Sequence, residues 1–193
     1  MTYHFSPRSA LTALLVGAGV FISAAATHLR AEDATRSHAA PAKTAELQAS
    51  APDFVGITDW LNSAPLSISS LRGKVVLVDF WTYGCVNCVH TLPHVTQLYE
   101  RYKDKGLVVV GVHTPEFPFE TSLSNVRAAL QRHGIHYPVA QDNNSTTWDA
   151  YHNQYWPAQY IIDRNGRIVF SHAGEGAYDT IEHTVQTLLN DNG

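Results

Sequence analysis

Val75-Val76-Leu77-Val78-Asp79-Phe80-Trp81-Thr82-Tyr83-Gly84-Cys85-Val86-Asn87-Cys88, followed by Val89-His90-Thr91-Leu92, reads as strand, short turn and helix. Four consecutive β-branched or leucyl residues at the start suit a strand buried on both faces, in the middle of a sheet covered by helices. Beyond the turn, Val89, Leu92, Val95, Tyr99 and Tyr102 recur at three- and four-residue steps, which predicts a helix with one apolar stripe facing that sheet. Cys85 and Cys88 therefore fall at the helix's first turn. Side chains at i and i+3 are neighbours there and can close a small disulfide ring without moving the backbone.

That placement predicts a division of labour. The free amides and positive dipole end of a helix N-terminus favour a thiolate at Cys85, which makes it the attacking sulfur. Cys88, one turn further in, is placed to attack the mixed disulfide that Cys85 forms and so release the substrate. A static structural disulfide is the competing reading. A ring so small constrains few unfolded conformations and stabilises little, and these are the chain's only cysteines.

Val78-Asp79-Phe80-Trp81, then Cys85-x-x-Cys88 with Pro93 five residues beyond, resembles the active-site segment of thioredoxin. The longer string Trp81-Thr82-Tyr83-Gly84-Cys85-Val86-Asn87-Cys88 is similar to the exported TlpA-like, or redoxin, branch of that superfamily. In particular it resembles the periplasmic thioredoxin-like domain of DipZ-type proteins. The resemblance runs from about Asp53 to the C-terminus. It implies an α/β, thioredoxin-like fold: a central mixed sheet flanked by helices, with an N-terminal hairpin and a TlpA-type insertion. It also implies protein thiol/disulfide substrates, no cofactor, and a membrane thiol electron donor of the DsbD or CcdA kind.

Composition frames this reading. The 193 residues are 45% hydrophobic and 16% charged with a formal net charge of -4, which suits one soluble domain plus appendages. No basic block or interleaved aromatic and basic pattern supports nucleic-acid binding. Residues 1–31 hold a polar start with Arg8, an apolar small-residue run over 10–26 and an Ala24-Ala25-Ala26 cleavage pattern. They read as a secretory signal or an uncleaved membrane anchor, and either way the remainder is exported, periplasmic in a cell with two membranes. Residues 32–52 mix small, polar and charged side chains without period and read as a flexible linker, leaving 53–193 as the folded domain.

Within that domain, Leu71-Arg72-Gly73-Lys74 leads into the first strand, and Leu107 to Val112 forms a second continuous apolar strand, giving a β-α-β unit. A proline-rich loop from His113 to Glu120 precedes a helix over about 122–133. A short strand at Tyr137 to Ala140 and a brief helix near 147–151 follow. Trp156-Pro157 enters a strand ending at Asp163, Arg164-Asn165-Gly166-Arg167 reads as a type I′ hairpin turn, and Ile168 to Ser171 pairs back. Ile181, Val185, Leu188 and Leu189 mark a closing helix.

Other residues carry candidate chemistry. Asp79 falls where the resemblance places a buried acid behind the second cysteine. A carboxyl inside an apolar strand is costly when charged, so its proton affinity rises and it can accept the Cys88 proton. Pro157 matches the family's cis proline, with Trp156 offering backbone groups to an extended substrate. Trp81, opening the motif, is expected with them to face substrate. Glu116 follows the second strand on the sheet edge that carries the cysteines, and TlpA-like proteins resemble this chain in carrying a glutamate there. Its expected role is like-charge repulsion on the thiolate. The sequence contains 11 histidines, and His90 and His94 stand one turn apart. His90 lies about 200° around the helix from Cys88, which puts the pair with Gln97 and Arg101 on a polar face, so no metal is expected. Two alternatives stand: a copper chaperone using both thiols, and a peroxidase, because Thr82-x-x-Cys85 satisfies the T-x-x-C core of peroxiredoxins while Val78 replaces their upstream proline.

Overall fold

A computed structural model describes residues 49–191. The expected export segment and most of the expected linker lie outside the described residues. Six strands form one mixed sheet in the order β1-β4-β3-β2-β5-β6. They are β1 (Asp59–Leu61), β2 (Val75–Trp81), β3 (Leu107–His113), β4 (Val139–Gln141), β5 (Ala158–Ile162) and β6 (Ile168–Ala173). Four α-helices accompany them: α1 (Val86–Tyr102), α2 (Leu123–His133), α3 (Thr146–Ala150) and α4 (Tyr178–Asn190).

The continuous apolar run makes β2 the sheet's centre, and every residue of it is buried. It lies parallel to β3 and antiparallel to β5, so that Asp79 stands opposite Gly111 on one side and Gln159 on the other. Strand alternation divides its side chains between two cores. Val75, Leu77 and Trp81 pack with residues of α1, α2 and α4, whereas Val76, Val78 and Phe80 pack with the segment before β2 and with α3. Asp79 shares the α1 side. From α1, Leu92 and Val95 are 1% and 2% exposed, and each such side chain removed from water contributes about 1.5–3 kcal/mol. Pro93 lies on the helix's exposed side, where the lost main-chain donor opens to water.

Three sequence-based expectations need correction. No hairpin precedes β2 among the described residues. The apolar stretch there yields only three strand residues, β1, which pair antiparallel with β4 at the sheet edge, and a 3-10 turn at Ser69–Leu71 follows. The domain also begins before Asp53. Ile168 N–H donates to Ala49 O at 3.0 Å and Ala51 N–H to Gly166 O at 2.9 Å. Main-chain pairing of this kind is indifferent to the side-chain composition that suggested a linker. Finally, the β5–β6 turn is not type I′. Of its central residues only Gly166 has positive φ, at 71°. The Asp163 carboxylate accepts from Asn165 N–H and Arg167 N–H at 2.9 and 2.8 Å, favouring a wider loop.

Candidate active site

β2 ends at Trp81, and Thr82-Tyr83-Gly84 carries the chain to Cys85, the N-cap of α1. Cys85 is extended, and its sulfur accepts from Cys88 N–H at 3.4 Å, doing what a serine or aspartate oxygen does at other helix starts. Both thiols are free. Cys85 is half-buried, whereas Cys88 is 1% exposed. Burial pushes the Cys88 thiol far above the usual range. The Thr82 backbone opposes that rise, and Cys85 and Asp79 add to it.

Opposite Cys85 lies the start of β5. The Trp156–Pro157 peptide bond is cis, and the Cys85 thiol points at the Trp156 carbonyl oxygen at 3.9 Å. Trp156 is held on two sides: its indole N–H donates to Thr114 O at 3.0 Å, and its ring lies 4.0 Å from that of Trp148. Beneath Cys88, Asp79 is 1% exposed. Desolvation raises its pKa from 3.8 to about 7, against a hydrogen bond from Gln159 that lowers it. Gln159 Nε2 donates to Asp79 Oδ1 at 3.2 Å. A carboxyl titrating near neutrality beside a buried thiol is equipped to take and return a proton.

Trp81 is not available to a substrate. It is fully buried, edge-on to His113 with ring centroids 5.1 Å apart, because the alternation of β2 turns it into the α1-side core. His113 is buried as well, and its Nε2 lies 3.4 Å from Thr82 Oγ1. Desolvation pulls its pKa down to about 4 although the Glu120 charge acts in the other direction, so the ring is neutral at pH 7.

The acid that reaches the cysteine turn is Glu120, not Glu116. The Glu116 side chain is exposed. Glu120 is fully buried, and its carboxylate accepts from Gly84 N–H at 2.9 Å, Glu116 N–H at 2.7 Å and Phe117 N–H at 2.9 Å. A Cβ on residue 84 would lie 2.2 Å from Glu120 Oε1, so the close approach requires glycine. One sequence signal points here: Pro118 opens a short 3-10 turn and Glu120 takes its third position, the spacing at which an acid reaches back to cap exposed amides.

His90 and His94 do not converge on a metal. His90 Nδ1 lies 3.0 Å from Glu175 Oε1, and the His94 ring stacks on Tyr178 at 3.7 Å. Among the described residues, no cluster of three or more histidine, cysteine or acidic side chains could hold an ion.

A mixed sheet flanked by helices, with a C-x-x-C turn at a helix N-terminus facing a cis-proline strand, defines a thioredoxin-like protein. The Redoxin family model matches residues 46–189, and the chain belongs to that family. Protein DipZ of Mycobacterium bovis is 52% identical over 144 residues, covering 73% of this chain but only 21% of DipZ. The thiol-disulfide oxidoreductase ResA of Bacillus thuringiensis is 30% identical over 132 residues, covering 68% of this chain and 72% of ResA. Among solved structures, a thioredoxin-like protein in its oxidised form superimposes with a TM-score of 0.70 at 28% identity, covering 77% of this chain and 99% of that one.

Proposed function

We propose that this chain is an exported thiol-disulfide oxidoreductase that reduces disulfides of other proteins through Cys85 and Cys88. The observation that carries the reading is the asymmetry of the pair: a half-buried sulfur capping a helix, and a fully buried thiol above a buried, near-neutral carboxyl. Cys85 as thiolate attacks one sulfur of a substrate disulfide; a Cys85–substrate bond forms, and the other substrate sulfur leaves as a thiolate. The Cys88 proton passes to Asp79, and the resulting thiolate attacks Cys85 Sγ, expelling the second substrate sulfur. The substrate gains two electrons, and the protein holds a Cys85–Cys88 disulfide. A membrane thiol donor then resupplies the electrons. The signal-like pattern of residues 1–31 supports export, and the similarity to DipZ and ResA supports the reaction class.

Substrate docking has its own support. Val86, Phe117 and Phe119 are 63%, 48% and 59% exposed. Phe119 reaches to 3.7 Å from where a Cβ on residue 84 would stand, and its carbonyl accepts from Tyr83 Oη–H at 2.8 Å. An apolar rim beside the attacking sulfur, with the Trp156 carbonyl facing that sulfur, suits an extended polypeptide.

Trapping tests the assignment. Offered oxidised protein substrates, Cys88→Ser accumulates mixed disulfides through Cys85, while Cys85→Ser accumulates none; mass spectrometry of non-reduced samples reads the difference. Accumulation on Cys85→Ser instead reverses the roles. Peroxide consumption faster than disulfide reduction with the same dithiol donor replaces the reading with a peroxidase.

A further inference from the structure

The proposed cycle loads a proton onto Asp79 and then has to remove it. The carboxyl is 1% exposed, and Cys88 above it is equally closed. On the sheet plane β3 and β5 flank it, with Gly111 and Gln159 as direct neighbours. The front, past Cys85, is where a docked substrate lies.

A second opening exists on the α1 side of the sheet. Between α1 and α4 runs a crevice of about 50 Å³ whose lining includes Gln159 and Leu77, the β2 residue two before Asp79 on the same strand face. A water needs about 10–15 Å³ of such volume, so a short file of waters fits. Its mouth is polar, with His94, Tyr178, Arg101 and Glu182 contributing. His94 lies nine residues along α1 from Cys85, roughly 13 Å down the helix at its standard rise, away from the substrate-facing end. Gln159 itself is 3% exposed, and its amide donates to Asp79. One side chain therefore both touches the carboxyl and lines the crevice.

We infer that the α1–α4 crevice is the route by which Asp79 exchanges its proton with solvent while substrate covers the front, and that Gln159 is the positioning residue at its inner end. The inference rests on the reading of Asp79 as the Cys88 proton acceptor. The balance is simple: the Cys88 thiol proton moves to the Asp79 carboxylate and, while the mixed disulfide still covers the front, passes on to crevice water and out to bulk, leaving the Cys88 thiolate to attack. Other titratable groups facing Asp79 are Cys88 from α1 and Tyr137 from the segment before β4, whose electrostatics couple to it. Both are buried and stay protonated near neutrality, so neither is an exit.

A stopped-flow single turnover with an aromatic disulfide separates the steps, because attack by Cys85 releases one coloured thiolate and resolution by Cys88 a second. Gln159→Leu is expected to slow the second phase about ten-fold and shift its pH inflection upward, since the carboxylate loses its donor and its contact with water. The first phase should stay within about two-fold of wild type, which a merely structural lesion would not respect. Ile181→Phe, which fills the crevice, should slow the second phase in the same way. On the unmutated protein, water-to-amide cross-relaxation should appear at the Gln159 side chain, and this readout survives any folding failure of the variants. An unslowed second phase in Asp79→Asn overturns the Asp79 reading itself. A slowed Asp79→Asn combined with wild-type rates and pH profiles in both Gln159→Leu and Ile181→Phe, or with no water at the Gln159 amide, overturns the crevice route alone.

Discussion

At the residue scale, the buried Asp79 carboxyl costs stability, and the sign of its pH dependence follows. Its pKa in the folded chain is raised from 3.8 to about 7 by desolvation. In the unfolded chain the carboxyl ionises freely above about pH 4, so between there and pH 7 the folded state holds the extra proton. Stability is therefore fully present below about pH 4 and falls as pH rises through about 7, by about 4 kcal/mol in all. Asp79→Asn keeps an acceptor for Gln159 and removes the titration. The variant should be more stable than wild type at pH 8, with the advantage shrinking towards pH 4; denaturant unfolding across that range measures it, and an advantage that grows on acidification would remove the desolvated carboxyl. Asp79 is legible in the sequence because an acid inside an unbroken apolar run is carried into the sheet's centre with its neighbours, whatever its own cost of burial. The burial of Trp81 is not legible, because a place in a motif does not say which side of a strand a ring occupies.

At the scale of elements, the active-site turn and the loop after β3 behave as one unit joined by Glu120. Three main-chain donors from two segments converge on one buried carboxylate, and Gly84 makes the approach possible. Gly84→Ala would drive the carboxylate off and leave buried amides without acceptors, at about 1–3 kcal/mol for each group left unpaired. Glu120→Gln keeps the shape but turns a donor towards one of those amides. Both should lower stability and slow substrate attack, and the double variant should lose less than the sum of the two, because each removes the same contact. Additive losses in a double-mutant cycle would separate the loop from the turn. The sequence pattern places an acid near the cysteines but favours Glu116, since two glutamates four residues apart in a proline-flanked loop carry no local sign of which turns inward. The long elements are legible, β2 and β3 from continuous apolar runs and α1 and α4 from helical periodicity. The three-residue β1 and its pairing with β4 are not, because edge pairing of so short a strand is decided by tertiary contacts.

At the scale of the whole molecule, the surroundings of the dithiol set the direction of electron flow. A strongly oxidising C-x-x-C protein is one whose reduced form is stabilised, chiefly by holding its thiolate among positive groups or strong donors. Here the Cys85 sulfur meets one main-chain N–H, from Cys88, and one main-chain carbonyl, from Trp156. Two buried acids, Asp79 and Glu120, lie behind the turn. Buried His113, the imidazole close by, is neutral at pH 7. Cys88 is pushed towards its protonated form by burial, by Cys85 and by Asp79. Acids rather than cations behind the turn, with Cys88 held as a thiol, are not the surroundings that stabilise a reduced form. The reduction potential should therefore lie near the roughly -270 mV of a thioredoxin rather than the roughly -120 mV of a disulfide-forming oxidase. Equilibration with glutathione or dithiothreitol buffers, followed through the redox-dependent fluorescence of nearby tryptophans, measures it. A value at the oxidising end would assign the protein to making disulfides rather than breaking them, and would require a source of thiolate stabilisation other than these residues.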